Sequence, residues 1–409
     1  MSFSNTLKLF CFSLVSSSLS LLTPGAVLGE SLSNREFNPS PDSIPGVRKV
    51  KDIMIYQDTM FYSAFPSIVK LPDGEFLLAF RRAPDRKIFG ETRTNHVDPN
   101  SYLVGVRSHN GEYWSKEAEL LYAHPFGGSQ DPCLLLLRDG NLICTSYGWA
   151  FVRPEGIPKL KEPYMAINDN VVFLGGYLVR SADGGKTWSG PFYATGVPTE
   201  KRNNALGQPV PAYNRGALYE GSDGRIYWAV AVAEEATQPG KTSVHLMVSG
   251  DKGLTWQYSC PIAKDDTAYF NETSLYETPK GDLIAFLRTA KFDDHACLAR
   301  STDGGKSFQP WEDMGFQGHP LHALRLPDNR VLLTYGYRHE PHGIRARILN
   351  PECTDFKTAP EIILRDDAGN GDIGYTWSVQ LDEKRVLVTY YYNLENGTRH
   401  IAGTILEID

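Results

Sequence analysis

The stretch Ser181–Trp188, SADGGKTW, decides how the chain is read, because near-copies recur at 249–256 (SGDKGLTW) and 301–308 (STDGGKSF). In each copy the aspartate can accept hydrogen bonds from its own turn and the glycines supply left-handed geometry. The closing Trp or Phe is left to pack between sheets. Asp183, Asp251 and Asp303 are therefore expected to staple the outer part of a sheet and to take no part in chemistry.

Outward from these turns the same pattern repeats. A strand leads into each one, as in YLVRSADGGKTW (177–188), and a further strand leads into the related YLVGVRSHNGEYW (102–114). Between them lie six hairpins: PSIVKLPDGEFLLAF (66–80), PCLLLLRDGNLICTSY (132–147), GALYEGSDGRIYWAV (216–230), TSLYETPKGDLIAFL (273–287), LHALRLPDNRVLLTY (321–335) and TWSVQLDEKRVLVTY (376–390). Their turns are of the Asp-Gly kind, which suits tight or bulged hairpins. The fifth and sixth units continue with GIRARIL (343–349) and HIAGTILEI (400–408) and lack the SADGGKTW-like turn. No long stretch has a helical period, so the chain is all-β. Four short strands per unit, in six units, predict a six-bladed β-propeller of four-stranded antiparallel blades over residues 47–409. Residues 47–56, VRKVKDIMIY, are expected to close the ring with the last blade. A two-domain sandwich is the alternative, and it gives no reason for matching units.

Composition narrows the function. The 409 residues are 41% apolar and 22% charged, with a net charge of −7 and no block of Lys or Arg. That balance argues against a nucleic-acid partner or an anionic membrane surface. At the start, Lys8 precedes an apolar, serine-rich run that Pro24 breaks before it reaches membrane-spanning length, so residues 1–29 read as a cleaved signal peptide. Residues 30–46 read as a flexible polar leader, and the protein is expected to be secreted or periplasmic, without membrane insertion. Of six cysteines, Cys11 leaves with the signal, and the other five show no CxxC spacing. No metal-ligand spacing is evident and no cofactor is expected. Cys133 and Cys144, on two arms of one hairpin, are expected to be buried thiols.

In a propeller the first strand of each blade lines the central channel, so residues just before it meet at one mouth. Counting back six from the last residue before each hairpin turn gives Phe65, Asp131, Arg215, Glu272, Pro320 and Tyr375. Four of these six are ionisable, which is more than a mouth built for packing needs. Counting forward ten from the same anchors gives Arg81 and Arg288, with Arg338 two residues beyond its equivalent. Guanidinium groups bind carboxylates bidentately and keep their charge, so the arginines suggest an anionic substrate.

The alternation of S-x-D-x-G-x-T-W turns with hairpins resembles the Asp-box (BNR) repeats of the sialidase superfamily over essentially the whole chain after the leader. The stretch NETSLYETPKGDLIAFLR resembles the sialidase segment that carries the glutamate and an arginine, which implies those roles for Glu272 and Arg288. LLTYGYRHEPHGIRARI implies Arg338 as a further arginine, and DIGYTWSVQLDEKRVLVTYYY implies Tyr375 as nucleophile. Arg81, Arg215 and Asp131 complete the expected substrate-binding set. A carboxylate that takes the phenol's proton makes a tyrosine nucleophilic, and a neutral nucleophile avoids repulsion from an anionic sugar. For the acid/base aspartate Asp98 fits best, Asp85 is second and Asp131 third; Asp85 serves equally well as a turn residue. One departure stands out: the resemblance calls for an arginine in the first blade where YSAFPSI has Ala64, with Arg81, Arg82 or Arg215 left to supply the charge.

The expected activity is exo-hydrolysis of a terminal acidic sugar, sialic acid or a related carboxylated sugar, from an acidic glycan or oligosaccharide. Two other readings compete with it. A uronic-acid polysaccharide lyase would use a base on C5, for which His319 and His96 are candidates. A non-catalytic acidic-glycan binder would not need the Glu272/Tyr375 pair.

Overall fold

Five of the six residues chosen as hairpin anchors close their turns, and the sixth, Leu381, donates its N–H to the Arg385 carbonyl at 2.8 Å. The carbonyls of Leu71, Leu137, Gly221, Thr278 and Leu326 each accept an N–H from three residues on, at 2.9 Å. The donating turn residues Gly74, Gly140, Gly224, Gly281 and Asn329 all have φ between +71° and +91°. The structure is a computed structural model that describes residues 44–91, 96–167, 169–194, 196–235, 240–394 and 397–409. The expected signal peptide, 1–29, and the leader up to residue 43 lie outside the described residues.

Each hairpin forms the two inner strands of an antiparallel blade. Blade 1 runs Phe61–Lys70, Phe76–Pro84, Tyr102–Ser108 and Glu119–Tyr122, and blades 3, 4 and 5 repeat the order from Tyr219, Tyr269 and Leu321. Blade 2 is wider: its inner strand is broken into Gly128–Ser129 and Cys133–Leu136, and the short strand Ala166–Ile167 is added. Blade 6 takes Gly374–Gln380, Arg385–Tyr392 and His400–Ile408 from the end of the chain. Its outer strand is Val47–Tyr56, paired with His400–Ile408, as expected from the sequence. The six-bladed, all-β architecture is thus observed, and among the described residues no helix is long and apolar enough to cross a membrane.

The SADGGKTW turns work as staples. Asp183 Oδ1 accepts the N–H groups of Lys186 and Thr187 at 3.1 and 2.9 Å, and Oδ2 accepts the Thr187 hydroxyl at 2.6 Å. Asp251 and Asp303 repeat this. These bonds hold the Asp251 carboxyl down at about 2. The turn glycines nest on the preceding blade. A Cβ on Gly185 would lie 2.6 Å from Leu77 of blade 1, one on Gly253 2.6 Å from Ile143 of blade 2, and one on Gly305 2.7 Å from Leu246 of blade 3. The related turn of blade 1 places Gly111 against Leu381 of blade 6. Trp188 packs at the edge of the cluster that joins blades 1 and 2, among Leu77, Leu142 and Tyr177.

The five described cysteines are free and buried. Cys133 is paired with Thr145 and Cys144 with Leu134, so neighbouring register positions send the two thiols to opposite faces of the sheet.

Candidate active site

The inner strands begin with irregularities that turn side chains toward the axis. Register slips interrupt pairing between Ala64 and Ser67 in blade 1, Phe270 and Thr273 in blade 4, and Gly374 and Trp377 in blade 6. Such bulges re-aim side chains, and here they hold Phe65, Glu272 and Tyr375. Phe65 and Tyr375 have φ of +60° and +54°, uncommon for bulky residues and a form of strain that clusters at functional sites.

The fold brings Glu272, Tyr375, Arg215, Arg288 and Arg338 together. Tyr375 Oη donates to Glu272 Oε1 at 2.6 Å, and Arg288 Nη1 donates both to Glu272 Oε2 and, at 3.1 Å, to Tyr375 Oη. Arg215 lies beneath, buried, with Nη2 donating to the carbonyls of Pro66 and Tyr375 at 3.1 Å and its guanidinium 4.8 Å from the Tyr375 ring. Arg338 donates to the Ile373 carbonyl at 3.0 and 2.8 Å, and its guanidinium also lies over the Tyr375 ring, 5.3 Å from its centre. Burial, then the Glu272 carboxylate, pushes the Tyr375 phenol well up. Burial would also raise Glu272, but Arg288 and the Tyr375 hydroxyl outweigh it and hold the carboxyl below its usual range. At rest the pair is therefore a protonated phenol bonded to a charged base.

Arg81 occupies a telling place, for it is the cross-strand partner of Ala64. Directly paired residues project from the same face of a sheet, so a guanidinium reaches the first-blade corner from the neighbouring strand. It is fully buried, 5.5 Å from the Tyr62 ring and 5.7 Å from the Phe65 ring. Arg82 is committed elsewhere, to the hydroxyls of Tyr102 and Tyr56 at 2.9 and 2.8 Å.

The three aspartates separate clearly. Asp85 caps the short 3-10 helix Arg86–Phe89 by accepting from Lys87 N at 3.0 Å, which is the turn role. Asp98 forms a bidentate ion pair with Arg86 at 2.7 and 2.9 Å and accepts from Asn100 N at 2.8 Å. Burial alone would raise its pKa, but Arg86 and that backbone N–H win and lower it, so this carboxylate holds no proton at neutral pH. Asp131 is buried at the break in the blade 2 inner strand and accepts from the Tyr147 hydroxyl at 2.8 Å. Burial and then Glu272 push it up to about 6, against Arg215 and Tyr147. The position of Pro320 carries no side-chain chemistry. Its neighbour His319 is buried, and burial together with Arg288 and Arg338 holds it neutral.

The arginine count overlooked residues in the same register. Position ten after the anchor is Tyr147 in blade 2 and Tyr391 in blade 6; the first bonds Asp131, and the second bonds Arg338 at 3.1 Å and Asp372 at 2.8 Å. Asp372, three residues before Tyr375, was also missed. Beside Glu272 a cavity of about 240 Å³ is lined by Tyr147, Trp149, Phe173 and Tyr213, with Arg215 at its base. Aromatic walls with a few polar groups are what a sugar ring needs. Among the described residues no three His, Cys, Asp or Glu side chains are placed to hold a metal ion.

A model of the BNR repeat-like domain matches residues 164–388 of the chain. The chain belongs to the BNR repeat-like family. Among solved structures, this BNR-repeat protein is 64% identical to a protein of unknown function from Dyadobacter fermentans DSM 18053, with a TM-score of 0.88 over 90% of this chain and 100% of that one. The NanB sialidase from Streptococcus pneumoniae is 13% identical, with a TM-score of 0.60, covering 87% of this chain and 70% of its own. Trypanosoma rangeli sialidase in complex with sialic acid is 15% identical, with a TM-score of 0.57, covering 89% and 59%. At these identities the two sialidases share the propeller fold, and the BNR-repeat chain is sialidase-like in that sense. No curated protein matches the sequence.

Proposed function

We propose that this BNR-repeat protein is a secreted exo-glycosidase that hydrolyses a terminal carboxylated sugar, sialic acid or a relative, from an acidic glycan. The observation that carries the reading is the 2.6 Å bond from Tyr375 Oη to Glu272 Oε1, bridged by Arg288 on the floor of the mouth. As Tyr375 Oη bonds to the anomeric carbon, its proton passes to Glu272 and the glycosidic bond breaks, the departing oxygen taking a proton from a general acid. Water then adds to the anomeric carbon as the bond to Tyr375 Oη breaks, its proton returning to that acid's conjugate base while Glu272 gives the phenolic proton back. Arg288 and Arg338, with Arg81 at the Ala64 corner, are the groups for the substrate carboxylate. The signal-like run after Lys8 supports export.

The test is a panel of aryl and oligosaccharide glycosides of sialic and uronic acids, read by product NMR. Glu272→Gln should lower kcat by about 10²–10⁴-fold, and Tyr375→Phe at least as far, with the fold intact. Turnover unchanged in Tyr375→Phe would sink the nucleophile, and an ultraviolet-absorbing unsaturated product would show a lyase instead.

A further inference from the structure

Among the described residues, neither Asp98, ion-paired with Arg86, nor Asp131, enclosed and bonded to Tyr147, is open to a leaving group. The loop held by Asp98 carries His96 two residues earlier. His96 is 42% exposed at its side chain, and its Nδ1 lies 3.5 Å from Asp372 Oδ1. Its ring meets Phe65 edge-on at 5.1 Å, and Phe65 in turn is 4.7 Å from the Tyr375 ring. The imidazole therefore sits one ring away from the nucleophile. Its backbone is fixed from blade 2, where Gln130 Nε2 donates to the His96 carbonyl at 2.6 Å.

Asp372 is itself held firmly. It accepts from Tyr62 Oη and Tyr391 Oη at 2.8 Å each and from Arg399 Nε at 2.9 Å. Burial would raise this carboxyl, but His96 and Arg399 overcome it and keep the group ionised. A carboxylate on one imidazole nitrogen fixes the ring and its tautomer, leaving the opposite nitrogen to exchange protons with substrate. Two buried histidines elsewhere offer nothing comparable: burial drives His322, on the inner strand of blade 5, down to about 3, and His124, in the loop after blade 1, down to about 4.

We propose that His96, oriented by Asp372, is the proton donor and acceptor of the glycosidic reaction, with Asp98 and Arg86 positioning its loop. This rests on the hydrolase reading above. In the first step imidazolium Nε2–H gives its proton to the glycosidic oxygen as the C–O bond breaks and Tyr375 Oη bonds to the anomeric carbon, Glu272 taking the phenolic proton. In the second step neutral Nε2 takes a proton from the attacking water. The C–O(Tyr375) bond then breaks, and Glu272 returns its proton to the phenolate oxygen.

Leaving-group dependence tests the assignment, because a nitrophenolate departs without a proton and a sugar alkoxide does not. His96→Asn and His96→Gln should lose about 10²–10⁴-fold in kcat on oligosaccharide glycosides and less than about 10-fold on 4-nitrophenyl glycosides of the same acidic sugar. Asp372→Asn should show the same split, more weakly, and guards against a His96 variant that does not fold. Equal losses on both substrates, or none, overturn the proposal while the hydrolase reading stands. Failure of the unaltered protein to cleave either substrate overturns both.

Discussion

Asp131 shows what burial beside charged neighbours at the mouth does to a single residue. Its carboxyl titrates near 3.8 in an unfolded chain and at about 6 in the fold, because burial and Glu272 oppose its charge. A raised carboxylate pKa means the folded state binds the proton more tightly, so the destabilising effect is absent below pH ~4 and complete above pH ~6. Asp131→Asn should therefore gain stability relative to the unaltered protein as pH rises from 4 to 7, with the gap in Tm widening across that window. A constant gap would place the burial elsewhere. The same residue scale explains what a linear count could find. Glu272 and Tyr375 were legible because their bulges fall at one offset from a turn that the sequence marks with Asp and Gly. His96 and Asp372 sit in loops, where no register carries them, and their approach depends on blades 1 and 6 meeting. Tyr147 and Tyr391 share the register of Arg81 and Arg288, so the pattern held them; attention to charge alone passed them over.

At the scale of one element, the staple turn couples a blade to its predecessor. Gly253 has φ +75° and a Cβ there would press on Ile143, whereas Gly281, at φ +91°, has nothing within 4 Å. Gly281→Ala should cost about 1 kcal/mol for the left-handed backbone alone, and Gly253→Ala about 2–3 kcal/mol once the crowding is added. Chemical denaturation of the two variants gives the comparison, and equal losses would remove the interlocking role. The aspartate of the motif was readable from sequence as a turn residue. Its glycine's grip on the neighbouring blade was not, because that contact joins positions about a hundred residues apart, as in Gly253 and Ile143.

Across the whole molecule, the ring is closed by Val47–Tyr56 lying against His400–Ile408, with Lys49 Nζ reaching the Leu364 carbonyl of blade 5 at 2.6 Å. Deleting residues 44–56 should leave the last blade with an unprotected edge and yield a chain that unfolds at lower denaturant and self-associates. Analytical ultracentrifugation beside a denaturation curve checks this, and a monodisperse, equally stable product would contradict it. The closure was readable because six blades were counted, with one strand left over ahead of the first blade and the last blade one strand short.

That closing strand also sets a timetable. Val47–Tyr56 precedes the first blade along the chain, yet it pairs with His400–Ile408 of the last. The mouth joins Phe65 of the first blade to Tyr375 of the last. The first blade therefore waits for the sixth to be made, and only then can Glu272 and Tyr375 meet with Phe65 beside them.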